Sequence, residues 1–574
     1  MNFPKLRQIS LSQHTQSVFG GYRHTSAAVE GEWYDMTNMS AAHYPALGTR
    51  LPRGLYATAP QGAGLARYDA LCYVDGTRLF VDGYPVEMDL AVDGSLKTLT
   101  RMGSYLIILP DKRYLNLADF SDKGEIEASI TVHACTLSPC RADGTAYESV
   151  ISTSTAPEAG DADTVWLDTS ASPAVLRQYA PSTGVWCEVE RPLVRLGATG
   201  LGLPFSVGDG VTFSGLPVPL DGTHCVVARE KDALVIEGSA IAPTTLTGNI
   251  TAVRRMPDMD HIVEAGNRLW GCRYGMGADG KVINELYASA LGDFRNWQVF
   301  SGLSTDSYAA GVGSDGAFTG AITYQGTPIF FKEHYMHRVY GTTPDSFRVV
   351  STPCRGVARE CARSLCVVDE VLYYLADEGV CAFDGSQPQL VSAALGNERY
   401  TSAAAGARNG SYYISMRSER TDAWHLFVLD TARGLWHRED GTHARCFCAV
   451  GDELYFLDEA GRILTVSGKG TPAEGAIEFR ALSGVIGLWS ATGRVLQRLH
   501  VRVQVPRGAM LRVLVQYDSE GEYQEVFCTK GSGLRTITAV IRPQRCDHFR
   551  LLLCGKGDVR VHSITRYEGR AGDK

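Results

Sequence analysis

Long hydrophobic runs are the first thing this chain of 574 residues lacks. Its longest apolar stretch lies near Tyr105 to Leu109, far short of the roughly eighteen residues a membrane helix needs, so no membrane partner is expected. The opening MNFPKLRQIS has no apolar core of a signal peptide. No C-x-x-C occurs, and the cysteines number fifteen, an odd count, scattered at positions such as Cys72, Cys272, Cys366, Cys381 and Cys554. That pattern excludes a disulfide framework and points to a reducing compartment, with thiols acting as small apolar side chains. Cys446 and Cys448 would share one strand face, but a zinc site needs a second pair. Basic charge is not in excess either: the formal net charge is −8 and the pI about 6.0, which excludes a strongly basic nucleic-acid binder as a description of the whole chain. Amphipathic helical periodicity is nearly absent.

What is present is turn chemistry. Glycine occurs 61 times and Asp-Gly ten times, for example at Asp75-Gly76, Asp82-Gly83, Asp221-Gly222 and Asp384-Gly385. This dipeptide tolerates the positive φ of tight hairpins, and short runs of Val, Tyr, Phe, Leu and Thr surround it, so the chain is read as all-β. A unit of turn, strand, turn, strand recurs from Leu71, Gly103, Ala265, Tyr324, Val367, Ala407 and Val450, and the turns near Gly326, Asp369, Gly410 and Gly451 are spaced by 41 to 43 residues. That is the length of a propeller blade. A sheet that cannot bury both faces alone is completed by stacking around an axis. We expect a β-propeller of six or seven blades, with an N-terminal arm over 1–60 whose strands are candidates to close the ring. Its first part would span 61–131 and its second 251–471. Between them, 132–250 shifts to Ala, Ser, Thr, Pro and Gly and is read as one or two inserted small β domains. From 472 to 574 long alternating strands predict a C-terminal β-sandwich. This end is basic: from Ala491 to Lys574 there are 15 Lys and Arg against 8 Asp and Glu, leaving −15 for the rest. Arg502, Arg512, Arg550 and Arg560 fall at outward strand positions and form a candidate docking face, since Arg is favoured at interfaces.

Catalytic chemistry is sparse. Gly275 to Gly280 formally reads G-x-G-x-x-G, and nearly a phosphate-binding loop, but no helix follows to hold a pyrophosphate, so a hairpin loop is expected. His334 and His337 would face opposite sides of a strand, against joint metal ligation. Asp258 with Asp260, and Asp161 with Asp163, could contribute to a calcium site only with further oxygens, and read better as solvated turns. The stretch Gly313 to Thr319 departs from the Asp-box of sialidase-like propellers. Trp33, Trp270, Trp297, Trp424 and Trp436 suit gaps between sheets, and Trp166 and Trp186 are candidate surface aromatics of the insert, able to stack on a glycan. No catalytic residue, cofactor or metal is assigned, and the chain is read as not an enzyme.

Four segments carry a family resemblance. GGYRHTSAAVEGEWYDMTNMSAAHYPALGTRLPRG, from Gly20 to Gly54, resembles the N-terminal arm of tailed-bacteriophage structural proteins, with its phrase D-M-x-N-M-S followed by Y-P-x-L-x-x-R. Ile329 to Ala358, Val371 to Ser392 with its D-E-G-V and F-D-G turns, and Phe427 to Asp440 with D-T and G-x-W are similar to blades of the same proteins. The resemblance is to packaged-DNA stabilisation, or tail hub, proteins of short-tailed phages. It implies a virion protein of the tail or neck, made in the bacterial host cytoplasm, present as a ring of copies with a hexamer as one option. It would contact portal or adaptor and other tail proteins, support fibres or a needle, and help retain packaged DNA without sequence-specific binding. An acidic body facing that DNA would let it slide, whereas a basic one would retard it. Two alternatives stand beside this reading: a distal tail or baseplate protein binding host-surface glycans, and a propeller glycoside hydrolase.

Overall fold

The computed structural model describes residues 11–26, 28–161, 163–487, 494–531 and 533–570; the opening decapeptide read above for a signal sequence lies outside them, as do residues 571–574. Apart from two single-turn 3-10 helices, Ala362–Ser364 and Ala393–Leu395, every regular element among the described residues is a strand.

Seven antiparallel sheets form a β-propeller. Blades 1 to 6 span 62–87, 98–125, 261–311, 320–353, 366–390 and 400–438, and blade 7 is built from 444–465. The first strand of blade 7, Ala444–Val450, lies against that of blade 1, Gly62–Arg67, so the ring closes. The turns explain the periodicity. Gln325-Gly326, Asp369-Glu370 and Asn409-Gly410 join the first two strands of blades 4 to 6, and both residues of each have φ between 46° and 73°, the geometry whose twist matches a two-residue hairpin. Stacking explains the hydrophobicity of the second strands. Thr327–Phe331 and Val371–Ala376 are buried on both faces, because each blade is covered by a neighbour on either side.

Blade 7 supplies only three strands from its own stretch. The fourth comes from the N-terminal region: Gly54–Thr58 pairs antiparallel with Arg462–Thr465, with Leu464 opposite Leu55, and Thr471–Pro472 pairs with its other edge. Gly54 is required here by space, since a Cβ would stand 2.0 Å from the Lys469 carbonyl oxygen.

The inserted unit runs from Ala128 to Arg254 as a closed six-stranded barrel, with a separate four-stranded sheet, 149–188, looped out of it. Phe205, Val211, Phe213, Leu234, Ile236 and Ile250 fill the barrel. It is fastened to blade 3 by Asn296, whose amide donates to Asp209 (3.0 Å) and whose carbonyl accepts from the Gly210 N–H (3.1 Å); within the barrel a buried ion pair from Arg254 holds Asp209 in place.

The C-terminal unit is a sandwich of two sheets, but the N-terminal arm completes both. Trp33–Thr37 adds to Glu478–Ser483 in one sheet, while Ser12–Gln16 and Leu47–Thr49 add to Arg560–Arg570 in the other. The arm also docks on blade 6 and the turn leading into it, where the Tyr22 N–H donates to the Trp436 carbonyl (2.5 Å) and the His24 N–H to that of Ala394 in the 3-10 helix Ala393–Leu395 (2.8 Å). Between sandwich and closing strand it contributes two arginines with 6% and 4% of their side chains exposed. Arg50 binds Glu474 through two bonds (2.7 and 3.0 Å) and Asp440 (3.2 Å). Arg53 binds Glu439 and Asp440, each at 2.8 Å. Asn38 accepts from Arg50 Nε (2.7 Å) and donates to the Glu478 carbonyl (2.8 Å). Burial alone would push the Asp440 and Glu474 carboxyls up, but Arg53 and Arg50 more than offset it and hold both below their ordinary range.

Two outcomes follow from this closure. Gly54→Val should force the closing strand away from Lys469 and lower the unfolding free energy by about 2 kcal/mol or more, read from denaturant midpoints. Arg53→Met leaves Glu439 and Asp440 to Arg50 alone and should cost about 3–5 kcal/mol, against less than about 0.5 kcal/mol for Arg502→Met at an exposed strand position. Because the folded carboxylates are depressed, their stabilisation is complete above the ordinary values of 4.5 for Glu474 and 3.8 for Asp440 and is lost as pH falls below them. The wild-type advantage over Arg53→Met should therefore shrink on acidification; an advantage constant to pH 3 would contradict the ion-pair account.

Candidate functional site

The first strands of the blades converge on the axis, and small residues allow it: Gly62, Ala63 and Gly64 in blade 1, Ala321 in blade 4 and Ala403 to Gly406 in blade 6. They leave an axial cavity of about 700 Å³. A recess of about 480 Å³ shares its wall at Leu96, Thr98 and Asp260 to Ile262 and reaches Lys112 and Arg273 between blades 2 and 3.

The charges lining the cavity fall into two groups. Lys97 is matched by Asp111 (3.1 Å) and Asp93 (3.6 Å), and Asp260 by Arg273 (2.8 Å). Arg445 donates to the carbonyls of Gly62 (2.9 Å) and Gly94 (3.3 Å), which orient the guanidinium without neutralising it. Arg363 faces the cavity with no carboxylate within ion-pairing distance among the described residues. The side chain is exposed to the cavity; partial desolvation lowers its proton affinity, the Cys446 thiol raises it and repulsion from Arg445 lowers it further. Glu360 accepts from Ser402 Oγ (3.2 Å). His261 is pushed down by burial, with Arg363 adding to the effect, while its Nε2 lies 3.2 Å from the Phe318 carbonyl. Trp424 and His443 stack at 3.6 Å and 9°, forming a flat wall. Cys446 beside them is pushed up to about 11 by burial, so its thiol stays protonated at neutral pH.

Most residues singled out by sequence occupy structural positions. Asp258 is bound to Lys112 (2.9 Å), Asp163 pairs with Arg141, and Asp161 accepts from the Asp163 N–H (3.0 Å) and from Thr164 Oγ1 (2.6 Å). Among the described residues no group of three His, Cys, Asp or Glu could hold a metal. His337 is buried between Ser351 Oγ (2.8 Å) and Ser314 Oγ (2.9 Å) and pushed down to about 4 by burial and then Lys332. It is a neutral packing residue at pH 7. Gly275 to Gly280 is the hairpin between Arg268–Met276 and Val282–Ala288.

Two groups need correction. The four arginines do not make one docking face. Arg502 and Arg560 stand on the sheet containing Arg494–Val505, and Arg512 and Arg550 on the sheet containing Met510–Tyr517. Since the sheets bury their facing sides, the two pairs point to opposite sides of the sandwich. They are also partly engaged: Arg512 with Glu525 (2.6 Å), Arg560 with Asp558 (3.4 Å), and Arg550 over the Tyr34 ring. Trp166 is not a surface aromatic. It is 7% exposed, donates to the Thr153 carbonyl (3.0 Å), and is covered by Arg177 and by the edge of Trp186. Trp186 is half-buried and donates to the Pro157 carbonyl (3.0 Å). Trp33, Trp270, Trp297 and Trp436 are buried as core, whereas Trp424 is the one of that set left half-exposed, at the axis.

No protein-family model and no curated protein sequence matches the chain. Among solved structures it is similar to an exo-beta-1,3-galactanase from Phanerochaete chrysosporium, at 9% identity and a TM-score of 0.22, over 54% of this chain and 95% of that one. It is also similar to a glycoside hydrolase family 43 arabinoxylan arabinofuranohydrolase from Bacillus subtilis (10%, 0.17, 55% and 95%) and to Trypanosoma rangeli sialidase (9%, 0.21, 92% and 97%). At these values the likeness concerns fold alone. It nevertheless corrects one expectation: the matched structures are hydrolases, so the exclusion of enzymatic activity is withdrawn.

The burial of Trp166 has a direct consequence. Trp166→Ala should cost about 3–5 kcal/mol within the 149–188 sheet, seen as faster amide exchange there with the propeller unchanged. Unaltered exchange would return the ring to a surface role.

Proposed function

We propose that this chain is a structural component of a tailed-phage particle, a tail hub or head–tail connector that surrounds the tail axis in several copies. In that place it would meet portal or adaptor proteins, help retain packaged DNA and carry fibres or a needle. One observation carries the reading. The phrase on which the phage resemblance rests is the phrase that joins propeller to sandwich. Asp35 pairs with Arg438 of blade 6 (2.9 Å) and Arg480 of the sandwich (3.5 Å). Met36, Met39 and Leu47 are buried in the shared core, Asn38 takes a left-handed φ of 60° to reach Arg50 and Glu478, and Arg50 enters the charge cluster. These residue types are thus needed where two modules must be held at a fixed angle, which suits a ring component under load from the DNA behind it. The acidic excess of the first 490 residues suits DNA that must slide past rather than bind.

The test is gold-labelled antibody against this protein on purified particles. Label at the head-to-tail junction is expected. Label at the distal tip would favour the host-surface alternative instead, and absence from the particle would overturn both.

A further inference from the structure

The axial cavity is not used by the assembly reading, and its lining is unlike that of a passive packing void. Apolar voids in proteins are dry and lined by aliphatic side chains. This one presents two guanidiniums, Arg363 from the 3-10 turn ahead of blade 5 and Arg445 from the first strand of blade 7, that lie within electrostatic reach of one another and have no carboxylate partner among the described residues. Arg363 is exposed to the cavity and Arg445 only partly buried, so both guanidiniums are open to an entering anion, which would be drawn to the two like charges together. The neighbouring cation, Lys97, and the neighbouring acid, Asp260, are each already matched within the wall, so they do not cancel the pair. Glu360 is the remaining acid; its bond to Ser402 ties it to blade 6. On the same cavity wall, the half-exposed Trp424 is held flat by its stack on His443, and the His443 ring is itself positioned by Glu459, 3.5 Å from Nδ1. A fixed aromatic face beside two guanidiniums without carboxylate partners is a combination that takes a ring and an anion together.

We propose that the axial cavity binds an acidic sugar unit, its carboxylate or phosphate on Arg363 and Arg445 and its ring face on Trp424. The volume of about 700 Å³ admits one or two such units and excludes a nucleic-acid duplex, so this site is separate from any DNA path. Arg445 is oriented in advance by the carbonyls of Gly62 and Gly94. Among the described residues Arg363 makes no hydrogen bond or ion pair and its side chain is exposed, so its removal is expected to leave the fold intact.

The test is calorimetric titration of the full chain with D-glucuronate, D-glucose 6-phosphate, neutral D-glucose and inorganic phosphate. Binding of one or both acidic sugars is expected, with D-glucose at least about tenfold weaker. Arg363→Gln should weaken the acidic sugar by at least about tenfold at an unchanged melting temperature, and Trp424→Ala should weaken the sugars while leaving inorganic phosphate unaffected. Glucuronate alone would identify a carboxylate site and glucose 6-phosphate alone a phosphate site, each within the proposal. Failure of all four probes to bind, equal affinity of Arg363→Gln and wild type, or inorganic phosphate binding as tightly as the phosphorylated sugar would overturn it.

Discussion

Two buried arginines set the geometry of the molecule. Arg50 and Arg53 lie on the short run between the arm strands of the sandwich and the strand that closes the propeller, and their partners Glu439, Asp440 and Glu474 come from the loops leaving blades 6 and 7. Removing such charges from water is costly unless every one is matched, so the cluster tolerates one arrangement of the three segments and few others. Its contribution is less to net stability than to register. With Arg53 fixed, Gly54 is brought against the Lys469 carbonyl, and the closing strand begins where blade 7 needs it.

Backbone pairing then extends this constraint in both directions. Towards the C-terminus of the arm, Gly54–Thr58 completes blade 7 and so the ring. Towards its N-terminus, Trp33–Thr37 and Ser12–Gln16 complete the two sheets of the sandwich. One stretch of about fifty residues therefore belongs to two modules, and the core around Trp33, Met36, Tyr22 and Trp436 runs without a break from blade 6 into the sandwich. The barrel inserted between blades 2 and 3 is held differently, by a polar lock in which Asn296 of blade 3 grips Asp209 and Gly210 of the barrel, with Asp209 fixed by Arg254. A closed ring of seven blades in turn creates the axial cavity.

The repeat was legible because its turns demand particular residues. Gln325-Gly326, Asp369-Glu370 and Asn409-Gly410 lie where two consecutive positive φ values are needed, and their spacing gave the blade length directly. The all-β class and the sandwich followed from strand alternation. Alternation, however, tells inward from outward and not which of two sheets a strand joins, so it cannot separate Arg502 and Arg560 from Arg512 and Arg550, which stand on sheets facing opposite ways. Trp166 carried no local sign of burial, because the residues covering it, Arg177 and Trp186, sit on neighbouring strands whose register is not written in composition. Arg363 and Arg445 were invisible for a related reason. Nothing marks them until the turn ahead of blade 5 and the first strand of blade 7 are both placed at the axis, and only then do residues 82 positions apart face one space.

The central claim is that the arm is an integral part of both modules. Amide hydrogen exchange on the intact protein tests it most directly. The account predicts that the amides of Gly54–Thr58 and Trp33–Thr37 exchange as slowly as those of Arg462–Thr465 and Glu478–Ser483, and rise together in denaturant as one cooperative unit. Arm amides exchanging at loop rates while the blades and the sandwich stay protected would contradict it.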